Sequence, residues 1–120
     1  MYSWNLPELA TRMTGATLEC VYVHEGEMLN AGTKLFDISI DLSSAFAQEC
    51  PPISYFRIIV REPVYVRQLL FEAGQHITTG SRVALFSSSL DQDPNSAVER
   101  EIRVATAGIM HHNGMWTASH

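Results

Sequence analysis

The sequence predicts an all-β fold made of two similar β units related by an approximate two-fold axis. Two observations carry this. Residues 1–90 lack the 3.6-residue apolar spacing of an amphipathic helix, and short stretches rich in Val, Leu, Ile, Tyr and Phe recur between turn residues. The chain also repeats at an offset of 48 residues: Gly26 meets Gly74 and Gly32 meets Gly80, while Leu18 meets Val66, Val21 Leu69, Tyr22 Leu70, Val23 Phe71, Leu29 Ile77 and Leu35 Val83.

Each copy reads the same way from its first residue to its last. Residues 17–23 and 64–71 are dominated by strand-forming side chains. Gly26 and Gly74 supply the positive φ that a tight turn after a strand needs. Leu29 and Ile77 are single apolar residues inside loops and are expected to plug those loops onto the core. Gly32 and Gly80 open a second turn into the next strand, 35–42 in the first copy, where Ile38, Ile40 and Leu42 alternate with Ser39 and Asp41. Residues 55–61 (YFRIIVR) form another strand. One such unit has an apolar face it cannot bury alone, and two facing units bury both. Lys34 meets Arg82, but Asp37 lies opposite Leu85, so the halves are not interchangeable there. Cys20, among apolar residues, reads as core filling; Cys50, before Pro51 and Pro52, reads as a loop residue.

At 120 residues the chain suits one domain with one modest core. Its net charge of −5, with Lys34 its one lysine and the arginines dispersed, argues against nucleic acid as a partner. No apolar run approaches the roughly 20 residues that cross a bilayer, so no membrane contact is expected. Residues 1–7 do not read as a secretory signal and the two cysteines form no C-x-x-C pair, which together predict a cytoplasmic protein with reduced thiols.

In this register the sequence resembles the biotinyl/lipoyl attachment domains. Residues 6–10 (LPELA) stand where the lipoyl branch begins M-P-x-L-G. Ala16-Thr17-Leu18 stands at its G-T-V, and Val21-Tyr22-Val23-His24-Glu25-Gly26-Glu27 at its W-L-V-K-E-G-D. Residues 62–86 resemble the second unit, with Glu72-Ala73-Gly74 and Gly80-Ser81-Arg82-Val83-Ala84-Leu85-Phe86. The resemblance covers about two thirds of the chain. It implies a flattened β-barrel or sandwich of two pseudo-symmetric four-stranded sheets, a barrel-sandwich hybrid, spanning residues 1–88. Three departures accompany it. The lysine that carries the prosthetic group falls on Leu42, which has no amine, so no cofactor is expected. The tight hairpin of the family is enlarged over 42–54, where Pro51 and Pro52 favour an extended course. Residues 89–120 are a linker and a C-terminal extension. Ser96 and Glu99 there fit a capping box, Ile102 and Val104 alternate as in a strand, and a helical turn leading into a strand is expected.

The candidate interaction residues are Leu42, Phe46, Cys50, Tyr55, Arg57 and Arg61, around the rebuilt hairpin and the strand after it. Arg57, Arg61 and Arg67 could form a basic strip that grips a carboxylate or phosphate, though solvated or paired arginines are the more ordinary outcome. Glu25 and Glu27 are read as solvated turn residues. His24, His76, His111, His112 and His120 lack the spacing of a metal site, so no metal is expected. With no G-x-S-x-G, P-loop or G-x-G-x-x-G, no catalytic residue is assigned and the chain is not read as an enzyme. The leading expectation is a non-catalytic binding or assembly module with a protein partner or a second copy of itself, a homodimer. The alternative is a carrier or accessory domain of a 2-oxo acid dehydrogenase or a biotin-dependent carboxylase. A detached barrel of a secretion adaptor ranks third.

Overall fold

The computed structural model describes residues 1–9, 13–41, 53–93 and 95–109. Among these residues ten strands run in chain order: β1 (Tyr2–Asn5), β2 (Gly15–Val21), β3 (Met28–Leu29), β4 (Lys34–Asp41), β5 (Ile53–Val60), β6 (Val64–Leu69), β7 (His76–Thr78), β8 (Arg82–Ser87), β9 (Arg100–Glu101) and β10 (Val104–Ile109). They form two five-stranded sheets, in the orders β3-β6-β8-β1-β9 and β10-β5-β4-β2-β7. No described residue is helical.

The repeat is written into the pairing. β2 and β4 lie in the second sheet, yet β3 between them crosses to pair with β6 in the first. β7, between β6 and β8, makes the reciprocal crossing and pairs with β2. Backbone bonds 48 residues apart match. Gly26 N donates to Val66 O at 2.7 Å and Gly74 N to Leu18 O at 2.6 Å; Leu18 N donates to Gln75 O and Val66 N to Glu27 O, both at 2.9 Å. Gly26 and Gly74 hold φ of 89° and 95°, and nothing lies within 4 Å of where a Cβ would stand, so the backbone conformation and not space calls for glycine. Each half thus contributes the short strand that extends the other half's sheet.

The two sheets share one core. Leu18, Leu35, Ile38, Ile40, Ile58, Val60, Val66, Ile77 and Phe86 are all fully buried, each worth about 1.5–3 kcal/mol of transfer from water. The rings of Trp4 in one sheet and Phe36 in the other stack with centroids 5.3 Å apart. Leu29 and Ile77, the two loop plugs, are 1% and 0% exposed. Cys20 is exposed, contrary to its reading as core filling. The register between β2 and β4 shifts between Leu18 and Cys20, and this irregularity breaks the alternation that would have turned the thiol inward. The matching shift lies between Val66 and Gln68.

The C-terminal segment corrects the expected count of four strands per sheet. β9 runs parallel to β1 and β10 antiparallel to β5, so each sheet gains one strand. Both sheets end on edge strands among the described residues, so they are open and do not close into a barrel. Ile102, between β9 and β10, is 4% exposed. The helical turn expected from Ser96 is replaced by pairing: Glu99 N donates to Met1 O and Ile102 N to Ser3 O, both at 2.9 Å, and those bonds commit the segment to the sheet.

Glu62 fastens this arrangement. Its carboxylate takes two bonds of 2.7 Å from the Arg100 guanidinium and one of 2.9 Å from Arg103 N. Arg100 also lies over the Tyr2 ring, 4.1 Å from its centroid. The bidentate Arg100 bond, helped by Arg103 N and by the two positive charges and opposed by burial, pulls the Glu62 carboxyl down to about 2 from an ordinary 4.5. A carboxyl held low in the folded state stabilises it above the unfolded value and loses that contribution as pH falls toward the folded value. Glu62→Gln should therefore melt below the parent protein at neutral pH, with the gap narrowing below about pH 4.5 and closing near pH 2. Thermal melts by circular dichroism across that range test this; a gap that does not change with pH would contradict it.

Candidate functional site

The outer face of the second sheet carries the polar cluster that breaks the repeat. β5 alternates, with Ile58 and Val60 buried on the core side and Tyr55, Arg57 and Ile59 on the other. The register sets Arg57 opposite Asp37 and Tyr55 opposite Ser39. Tyr22, just past the end of β2, is held by its backbone N donating to Leu35 O at 3.0 Å. Its hydroxyl donates to Asp37 Oδ2 at 2.5 Å, while Arg57 Nε donates to Asp37 Oδ1 at 2.8 Å and Arg57 Nη2 to Oδ2 at 3.1 Å. Lys34 Nζ and the Arg57 guanidinium lie 5.4 and 5.6 Å from the Tyr22 ring centroid.

The electrostatics follow from this geometry. Burial by itself would raise the Asp37 carboxyl, but bonds from Arg57 and Tyr22 with the charges of Arg57 and Lys34 outweigh it and hold the group below the usual carboxylate value. The bond to Asp37, then burial, push the Tyr22 hydroxyl up. Arg57 is held protonated above its ordinary value, chiefly by its bond to Asp37. The result is a charged carboxylate bonded by Arg57 and by the hydroxyl of a tyrosine that remains 38% exposed.

At the corresponding positions of the first sheet stand Leu70 for Tyr22, Leu85 for Asp37 and Ser3 for Arg57, with Ser3 opposite Leu85 in the register. A second pair is kept with its charge reversed. Ser39 Oγ donates to Glu19 Oε2 at 2.6 Å, and 48 residues on Arg67 Nη1 donates to Ser87 Oγ at 2.9 Å.

The sequence-predicted residues are only partly brought together. Tyr55 and Arg57 share the outer face of the second sheet, and Arg61 is exposed just beyond β5, where its backbone N donates to Arg103 O at 2.8 Å. Leu42, Phe46 and Cys50 lie outside the described residues, as does the loop 42–52, and β5 already begins at Ile53. The basic strip is not formed: Arg67 lies on β6 in the other sheet and donates to Ser87 Oγ, Ser89 O and Gln92 O. Glu25 and Glu27 are exposed but bonded: Glu25 accepts from Leu69 N in the other half and Glu27 from His24 N within its own turn, both at 2.9 Å. No three metal-binding side chains converge among the described residues; His111, His112 and His120 lie outside them. No helix among the described residues is long and apolar enough to cross a membrane. Tyr22 and Asp37 are the site residues that sequence reasoning left unassigned, and their signal was the mismatch of Asp37 with Leu85.

Beside Tyr22 an open depression of about 290 Å³ is lined by Val21, Val23 and His24 and by Leu69, Phe71 and Glu72. These are pairs 48 residues apart, so the depression straddles the two halves. No family model, curated protein or solved structure matches the chain.

The cluster can brace a contact surface in which an aromatic ring and two cations face outward over a neutralised carboxylate. Asp37→Leu should cost about 1–3 kcal/mol at neutral pH, because Arg57 and the Tyr22 hydroxyl lose their acceptor. Replacing all three residues by those of the other half (Tyr22→Leu, Asp37→Leu, Arg57→Ser) should recover most of that loss. Urea denaturation measures both; a triple variant as unstable as the single one would show that the orphaned donors are not the cause.

Proposed function

We propose that this chain is a non-catalytic binding or assembly module on a lipoyl-like scaffold that has lost its carrier position. The observation that carries this reading is where the lysine stands. In the register of the biotinyl/lipoyl domains the attachment residue falls at position 42, in the connection that follows β4, and position 42 is leucine. Lys34 opens β4, at the end of the strand remote from that connection, about 23 Å away at ~3.3 Å per residue. Its ammonium lies over the Tyr22 ring. An amine there is on a sheet flank and not at a hairpin tip, where a swinging arm needs it.

The exchanged short strands and the matching turns at Gly26 and Gly74 support a lipoyl-like scaffold, here with open sheets and the tail added. The surface best suited to contact is the outer face of the second sheet, where Tyr22, Tyr55 and Arg57 are of the residue types enriched at binding hot spots. The partner is a protein, either another chain or a second copy, and the compartment is reducing cytoplasm.

Intact-mass measurement on protein purified from cells supplied with lipoate and biotin tests the reading. The expected mass is that of the unmodified chain. A lipoyl or biotinyl increment on Lys34 would overturn the reading in favour of a carrier or accessory domain.

A further inference from the structure

Four strands form the edges of the two sheets among the described residues: β3 and β9 in the first, β10 and β7 in the second. An open edge presents unpaired N–H and C=O groups and templates further pairing, so soluble proteins keep edges short or charged. Three of the four obey this. β3 has two residues and β7 three. β9 has two, Arg100 and Glu101, both charged. β10 does not. It runs for six residues, Val-Ala-Thr-Ala-Gly-Ile, with no charge and no proline, and pairs with β5 without a bulge. Thr106, Ala107 and Gly108 are exposed.

The bonding pattern fixes which groups of β10 are open among the described residues. Val60 N donates to Thr33 O and Val60 O accepts from Gly32 N, so Val60 spends its backbone toward β4. Arg61 N donates to Arg103 O, toward the tail. Alternation then sends the backbone groups of Ala105, Ala107 and Ile109 to β5, their partners being Ile59, Arg57 and Tyr55. Val104, Thr106 and Gly108 point theirs away from β5.

We infer that β10 is a self-association edge and that its occupant is the β10 of a second copy, paired antiparallel across a two-fold axis through Thr106. This register sets Thr106 opposite the partner's Thr106 and Val104 opposite the partner's Gly108. It is the one in which all three outward residues find hydrogen-bonded partners. The strand is complementary to itself: no charge meets a like charge, and Ala105, Ala107 and Gly108 leave little side-chain bulk at the seam. The second sheets of two copies then join into one ten-stranded sheet. An edge-to-edge seam is small beside a standard interface, so the dimer is concentration-dependent. The inference deepens the assembly reading above but rests on the edge itself, whether or not the scaffold is a lost carrier.

Backbone hydrogen exchange, followed by NMR at low and high protein concentration on the full chain, tests it together with native mass spectrometry. The amides of Val104, Thr106 and Gly108 should gain protection as concentration rises, in step with a dimer peak, while the His76–Thr78 edge does not change. Thr106→Lys places two ammonium groups at the axis and should weaken association at least about tenfold with no change in the circular dichroism spectrum. A protein that stays monomeric, or a dimer that forms without protecting these three amides, overturns the inference even if Thr106→Lys fails to fold. A lipoylated protein that still dimerises through β10 would sink the lost-carrier reading and leave this one standing.

Discussion

The structure depends on the exchange of two very short strands. β3 leaves its own half to pair with β6, and β7 leaves its half to pair with β2; the bonds from Gly26 N to Val66 O and from Gly74 N to Leu18 O mark the two crossings. Two or three residues of strand have no stability of their own. They are held because Leu29 and Ile77 drop into a core that both halves build. Neither half completes its sheet alone, so the repeat is a constraint on folding as well as a pattern in the chain.

On that symmetric scaffold the polar groups are distributed unsymmetrically. Tyr22, Asp37 and Arg57 occupy positions that in the other half hold Leu70, Leu85 and Ser3, and Glu19 beside Ser39 answers to Arg67 beside Ser87. The backbone bonds are kept while the side chains on the outer faces differ. Arg67 uses its positive charge to hold the carbonyls of Ser89 and Gln92, which brings the segment after β8 against the first sheet. The second sheet keeps an aromatic and cationic face instead. The same division extends to the tail, where β9 carries charge and β10 carries none.

Much of this was legible in the sequence, for local reasons. Turn glycines, loop plugs and alternating strands are set by neighbours a few residues away, and Gly26, Gly74, Leu29 and Ile77 behave as their spacing predicts. Features set by distant partners were not legible. The crossing of β3 and β7 depends on pairing between residues far apart in sequence, such as Leu29 with Val64 and Gly15 with Thr78, and alternation says nothing about it. The outward turn of Cys20 comes from a register shift against β4. The tail read as an appendage because it lies beyond the end of the resemblance, yet Ile102 is buried and Glu62, after β5, binds Arg100. For the site, the mismatch of Asp37 and Leu85 located the asymmetry, but only the register between β4 and β5 supplies Arg57 as its partner. Leu42, Phe46 and Cys50 fall outside the described residues.

The interlock has a direct physical signature. If each half completes the other, Gly26 N and Gly74 N are released only when the whole domain unfolds. Native-state hydrogen exchange of those two amides, compared between the parent protein and Ile38→Val, measures this. The substitution removes one buried methylene from the first half and should cost about 0.5–1.5 kcal/mol. The prediction is equal protection of both amides in the parent protein and an equal loss of protection in the variant. Loss at one amide with the other unchanged would show that the halves open independently, and the account of an interlocked repeat would be wrong.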